Sequence, residues 1–164
     1  MTKIPENMIS LSYYRPEYQS SFETYSLSQE QREFTAMPLG ALAVCETSDD
    51  RHPIVILYKN ELAGFFVLHG WEGVKHYSDN RHAILLRAYS VNEVYQGKGI
   101  AKESIRQLPA FVKENFPDKN EIILGVNRNN KAAQHVYQRG GFRDKGIRYM
   151  GEKGEQLVLH MDLV

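Results

Sequence analysis

Val91-Asn92-Glu93-Val94-Tyr95-Gln96-Gly97-Lys98-Gly99-Ile100-Ala101-Lys102 joins the most strand-like stretch of this 164-residue chain to one of its most helical. Before it, Ala83 to Val91 alternates, with Ile84, Leu86 and Ala88 on one side and Leu85, Arg87 and Tyr89 on the other. After it, Ile100, Ile105, Leu108, Phe111 and Val112 recur at helical spacing as far as about Asn115. Pro109 lies within that stripe and is expected to kink the helix, because it removes one backbone bond and crowds the preceding turn. Between strand and helix, Gly97 and Gly99 put no side chain in front of the main chain and admit dihedrals that other residues resist. Amides at a helix start lack helical partners and sit at the positive end of its dipole, so the turn is suited to a pyrophosphate. Lys98 and Lys102 add charge.

Three phosphate-binding patterns compete for this turn. A P-loop needs GxxxxGK[ST], which the chain lacks. A dinucleotide fingerprint needs GxGxxG, but Lys102 stands at the third glycine, and Val126-Asn127 stands where a ribose-binding acid is expected. The third pattern, Q/R-x-x-G-x-G/A, is matched at every position by Gln96 to Ala101. A glycine-rich connection without any ligand is the alternative for these six residues alone.

A second segment bears on that choice. Asn130-Lys131-Ala132-Ala133-Gln134-His135-Val136-Tyr137 runs into Gln138-Arg139-Gly140-Gly141-Phe142. Seven residues separate Asn130 from Tyr137, so the two share a helix face about 10 Å apart along its axis, with small Ala133 between them. Gly140-Gly141 supply the helix's C-terminal cap.

Together the two segments resemble the GNAT superfamily of N-acetyltransferases, whose second pattern is N-x-x-A-x-x-[LV]-Y-x-x-x-G-F. The likeness covers about Leu62 to Leu163; the N-terminal third fits only by order of elements. It implies an α/β fold with a single mixed, mostly antiparallel sheet of about seven strands, helices on both faces and a splayed central parallel pair, spanning residues 1–164 as one domain. It implies acetyl-CoA as cosubstrate, without a metal. Its pyrophosphate would lie on Gln96, Gly97, Lys98, Gly99, Ile100, Ala101 and Lys102. Its pantetheine would lie along the backbone of Tyr89, Ser90 and Val91 and beside Asn130 and Ala133. Tyr137 would protonate the departing thiolate, as a phenol of ordinary pKa about 10 is able to do at neutral pH.

The resemblance also leads to a search for a glutamate base in the strand before the turn. Ala83 to Tyr89 contains no acid, and Arg87 is its one charge. Glu72 heads the remaining candidates, with His69 and His82; Glu93 is less suited because it sits in the phosphate turn. Leu86 to Gly99, with Tyr137-Gln138-Arg139, is similar to Bacillus-type spermine/spermidine acetyltransferases. That likeness implies a small-molecule amine acceptor such as a polyamine, for which Glu72, Asp79 and Glu46 would supply carboxylates. Transfer to a protein or peptide amine, or a non-catalytic acyl-CoA sensor that has lost its base, are the other readings. Many relatives dimerise, and the C-terminal hairpin offers strand edges for a homodimer.

Outside these segments, Met8 to Tyr14 reads as a strand, Glu17 to Ser26 and Gln29 to Met37 as short helices with Ser28 capping the second, and Pro38 to Thr47 as apolar but ambiguous. Pro53 to Tyr58 and Leu62 to His69 form a hairpin about Lys59-Asn60-Glu61; Gly70 to Arg81 reads as a loop. Glu121 to Asn127 reads as a strand, and Phe142 to Met150 with Gln156 to Leu163 as a closing hairpin. Lys plus Arg and Asp plus Glu both total 20, so no global field favours nucleic acid or a membrane surface. Met1 to Ser10 has no apolar signal core, and the lone Cys45, in an apolar run, reads as a packed residue; a cytoplasmic location is the expectation.

Overall fold

A computed structural model of the chain describes residues 8–163. Its elements are β1 (Ile9–Tyr13), a 3-10 stretch (Pro16–Thr24), α1 (Gln29–Arg32), α2 (Pro38–Cys45), β2 (Arg51–Tyr58), β3 (Glu61–His69), α3 (Trp71–Val74), β4 (Ala83–Val91), a 3-10 turn (Glu93–Tyr95), α4 (Ile100–Asn115), β5 (Glu121–Asn127), α5 (Lys131–Arg139), β6 (Arg143–Gly151) and β7 (Gly154–Asp162). The seven strands form one sheet in the order β1-β2-β3-β4-β5-β7-β6. Every pairing is antiparallel except β4 with β5. No helix among the described residues is long and apolar enough to cross a membrane.

Local chemistry explains most boundaries. Lys59 and Asn60 both have positive φ (51° and 68°), the requirement of a two-residue turn matched to strand twist, so β2 and β3 close as a tight hairpin. Ser28 starts α1 with a reciprocal capping box: its hydroxyl accepts from the Gln31 amide, and the Gln31 side chain accepts from the Ser28 amide. The helix expected over Gln29 to Met37 stops after one turn. Met37 precedes a proline and is held extended (ψ 146°), while Pro38 opens α2 at its first position. The apolar Pro38 to Thr47 run is thereby helical. The first expected helix is a 3-10 stretch, and the loop after β3 contains the single turn α3. Helix α4 runs to Asn115 with Pro109 inside it.

The sheet buries both faces. On one, Ile100, Ile105, Leu108 and Val112 of α4 pack with Val136 and Tyr137 of α5 against Ile84, Leu86 and Leu124. On the other, Phe22, Tyr25 and Leu27 pack with Ala41 and Leu42 of α2 on Val55, Phe65 and Val67. Cys45 joins this second layer half-buried, and burial raises its thiol pKa.

Candidate active site

The central parallel pair parts early. β4 and β5 stay in register only from Ala83↔Glu121 to Leu85↔Ile123. Beyond that point β4 remains paired with β3, and β5 with β7, so two inner backbone edges face a wedge.

A bulge in β4 sets which groups enter it. Arg87 pairs with Val67 and Ser90 with Phe65, leaving Ala88 and Tyr89 opposite Phe66 alone, and Ala88 has φ 55°. The extra residue reverses the alternation expected from the sequence. Tyr89, rather than Ala88, joins Ile84 and Leu86 on the α4 face, stacked on Phe66 at 6.0 Å; Ala88 joins the opposite layer. The Tyr89 hydroxyl lies 2.5 Å from that of Ser104 and so ties β4 to α4. Ser90 points the other way, its hydroxyl 2.7 Å from that of Tyr25. Past the bulge, the Asn92 amide donates to the Ala63 carbonyl on β3. Strand alternation therefore turns the Val91 N–H and C=O toward the wedge. There the Val91 carbonyl accepts from Gln96 Nε2 at 2.9 Å.

That bond folds the glycine turn back onto the strand. Asn92 Oδ1 braces it from behind by accepting from the Ser26 and Val94 amides. Gly97 (φ 82°) and Gly99 (φ 81°) are left-handed, and a Cβ on either would meet nothing within 4 Å. Gly99 is the N-cap of α4 and gives no side-chain bond. Among the described residues, the amides of Gly97, Lys98 and Gly99 make no hydrogen bond, and those of the first turn of α4 have no capping partner. The result is an open, anion-accepting cradle.

Helix α5 forms the opposite wall. Asn130 caps it, Oδ1 accepting from the Ala133 amide at 3.3 Å. Gln134 Nε2 donates to the carbonyls of Asn127 and Arg128 and so holds the helix to the end of β5. At the far end Phe142 N–H bonds the Tyr137 carbonyl and Gly141 N–H that of Gln138, with Gly141 at φ 111° and the Tyr137 and Phe142 rings 5.8 Å apart. These are the two bonds and the apolar contact of a Schellman cap. Tyr137 is thus fixed between Phe142 and Tyr89, whose ring lies 5.9 Å away. Its hydroxyl has no hydrogen-bond partner among the described residues, while burial pushes its pKa well above 10 and Tyr89 adds to the rise.

Wedge, turn and helix enclose a cleft of about 970 Å³. Tyr89, Ser90, Val91, Gln96, Gly97, Gly99, Ile100, Ala101, Lys102, Asn130, Ala133 and Tyr137 all line it. Several residues expected at the site do not. Lys98 is exposed and absent from the lining. Glu72 lies on α3 outside the cleft, where its carboxylate binds Lys75 at 2.7 Å; that hydrogen bond and charge hold its pKa below the usual range. Neither His69 nor His82 is in the lining.

Sequence reasoning missed the other half of the cleft. Its floor includes Arg51 and Arg87, and its walls Phe34 and Val44 on one side and Tyr77 and Tyr149 on the other. Tyr77 and Tyr149 have ring centroids 4.7 Å apart, and the Tyr77 hydroxyl donates to Gln156. Buried His69 presents Nδ1 to Arg87 Nη1 at 3.1 Å, with Nε2 3.9 Å from Asp50. Burial, then the charges of Arg51 and Arg87, lower the His69 pKa to about 4 against the pull of Asp50 and Glu72. His69 is therefore neutral near pH 7, and the acceptor of the Arg87 bond. The alternation of β4 signals which way Arg87 points; Arg51, first residue of its strand, carries no such signal.

Comparison with known proteins agrees with this geometry. The Acetyltransferase (GNAT) family model matches residues 10–142. An uncharacterized N-acetyltransferase of Bacillus subtilis strain 168, YbbJ, is 44% identical over 153 residues, covering 93% of this chain and 96% of that protein. The spermine/spermidine N(1)-acetyltransferase of the same strain is 32% identical over 103 residues, 62% of this chain and 66% of that one. Among solved structures, an aminoglycoside acetyltransferase AAC(6')-Ib in complex with coenzyme A and kanamycin superposes with a TM-score of 0.73 over 94% of each chain at 15% identity, a likeness of fold. The match to the family model and the 44% identity to YbbJ, over nearly the whole of both chains, show that this chain belongs to the GNAT acetyltransferase family.

Proposed function

We propose that the chain, acting as one domain, transfers the acetyl group of acetyl-CoA to the primary amine of a small molecule by direct attack. The observation that supports it most is the convergence of an unpaired strand edge, a side-chain-free amide cradle and the unpartnered Tyr137 hydroxyl on one cleft. The diphosphate would rest on the amides of Gly97 to Lys102, with Lys102 adding charge, and the pantetheine amides would continue the sheet along Tyr89 to Val91, beside Asn130 and Ala133. The Val91 N–H, turned into the wedge, is the donor placed to polarise the thioester carbonyl.

The neutral amine attacks the acetyl carbon, the C–S bond breaks, and Tyr137 gives its proton to the departing thiolate. Its raised pKa keeps the phenol protonated at neutral pH. Most of the acceleration comes from holding two reactants in register. The cleft contains no carboxylate beside β4; Glu30 and Glu152 line it but are exposed. The nucleophile is accordingly the neutral fraction of the amine, and its proton leaves to water.

Phe34, Val44, Tyr77 and Tyr149 line the acceptor end and offer apolar contacts on the scale of a small molecule's amine. A panel of small amines with acetyl-CoA, followed by thiol release, tests the reading. Turnover with at least one amine, with kcat/KM rising tenfold per pH unit below that amine's pKa, is expected. Acetyl-CoA binding with no thiol release from any amine would favour a sensor instead.

A further inference from the structure

The acceptor end of the cleft has an electrostatic character that the donor end does not require. Arg51, His69 and Leu85 lie in one cross-strand row, since Arg51 pairs with His69 and His69 with Leu85. Arg87 lies two residues beyond Leu85, before the bulge, and so shares that face. Both arginines line the cleft. Among the described residues the Arg51 side chain has no ion pair or hydrogen bond, and the one side-chain bond of Arg87 is to the neutral imidazole of His69. Glu46, Glu72 and Asp79, the carboxylates expected for a polycation, are absent from the lining; Glu30 and Glu152 line the cleft but are exposed to solvent.

On the foregoing reading of the reaction, we infer that the acceptor amine carries its own anionic group, a carboxylate or phosphate, bound by Arg51 and Arg87. Two like charges lining one cleft repel, and neither side chain meets a protein counter-ion among the described residues. A planar guanidinium presents paired donors that match a carboxylate or phosphate, and two of them complete its shell. His69 serves Arg87 as a positioning residue: neutral, it accepts one guanidinium N–H without cancelling its charge. These arginines are also distinct from the coenzyme's phosphate site. Arg87 precedes Val91 by four residues, roughly 13 Å of strand, and the glycine turn lies beyond Val91. Tyr77 and Tyr149 offer an apolar wall for the rest of the molecule.

Matched amines test the inference: phenylalanine against phenylalaninamide, glucosamine 6-phosphate against glucosamine, and spermidine as the polycation. Wild-type kcat/KM is expected to favour at least one anionic member over its neutral twin by tenfold or more, the pair showing whether carboxylate or phosphate is preferred. Arg51→Gln and Arg87→Gln should each raise KM for that substrate about tenfold and bring the twins toward parity. Acetyl-CoA Kd by calorimetry should stay within twofold, and Arg87→Lys should restore part of the preference. Neutral twins or spermidine used best by the wild type, or a preference that survives both glutamine variants, would overturn the inference. If acetyl-CoA binds but no amine turns over, calorimetry of N-acetylphenylalanine and its amide on the CoA-bound protein decides it: equal or absent binding overturns it. Failure to bind acetyl-CoA would remove the parent reading, and this one with it.

Discussion

Tyr137→Phe deletes one oxygen and nothing else. The Tyr137 ring is held by Tyr89 at 5.9 Å and Phe142 at 5.8 Å, contacts that phenylalanine keeps. Its hydroxyl bonds no described residue, so the substitution leaves no buried partner unsatisfied. Stability is expected to hold within about 1 kcal/mol, a shift of no more than about 2–4 °C in Tm for a domain of this size. The catalytic effect is separate. General acids contribute about 10²–10⁴-fold, and a leaving thiol of pKa about 8.5 needs less help than an alkoxide, which places the loss at the low end, about 10²-fold in kcat. That loss corresponds to roughly 2.7 kcal/mol of transition-state stabilisation. Because the proton moves only as the C–S bond breaks, KM for acetyl-CoA should be little altered. The pH signature follows from burial: the phenol's pKa is raised above 10, so the donor stays protonated and the wild-type rate keeps no alkaline limb below pH 10. Steady-state thiol release with the best amine, beside a thermal melt, measures both effects. A variant with kcat within twofold of wild type and an unchanged melt would show that the hydroxyl does not donate.

Gly99→Ala should cost about 1–2 kcal/mol, because φ is 81°; its methyl meets no protein atom, so acetyl-CoA titrations should show Kd weakened at least tenfold. Gly125→Ala places a Cβ 2.8 Å from Tyr77 Cε1. That stiff ring must shift, so initial-rate kinetics should show a raised acceptor KM with acetyl-CoA Kd unchanged. His69 gives a pH effect of defined sign: its folded pKa of about 4 lies below the ordinary 6.5, so the unfolded chain binds the proton first. Stability is full above pH 6.5 and is lost as pH falls toward 4. Melts across that window should slope less steeply for His69→Gln.

Much of the donor half was legible in the sequence because it is local. The glycine turn, the Asn130–Tyr137 helix and the limits of β4 and β5 each depend on residues a few positions apart. The bulge was not legible, since a run such as Leu86-Arg87-Ala88-Tyr89-Ser90 reads as plain alternation; only pairing with β3 shows that two residues stand opposite Phe66. The break before α2 was written in Met37-Pro38 but masked by the apolar run that follows, while the earlier stop of α1 at Arg32 has no such signal. The acceptor end was hidden because it gathers side chains from β2, β4, β6 and the segments after α1 and α3. Arg51 and Arg87 are thirty-six positions apart in the chain, and only strand order makes them neighbours. Glu72 stood as a candidate base because Ala83 to Tyr89 contains no acid, yet α3 places it outside the cleft, where it pairs with Lys75.

The single additional residue at Ala88 splits β4 into two strands with opposite rules. Up to Arg87, the side chains beside Leu85 would face the acceptor; from Tyr89 on, it is the peptide groups of the wedge that would meet the donor. Lineages can therefore exchange amino acids on the early half and acquire new acceptors while the later half, which would recognise its partner through atoms common to all residues, is left undisturbed. A shortened β4 lacking Ala88 would lose that independence, for every group after it would turn to the opposite face.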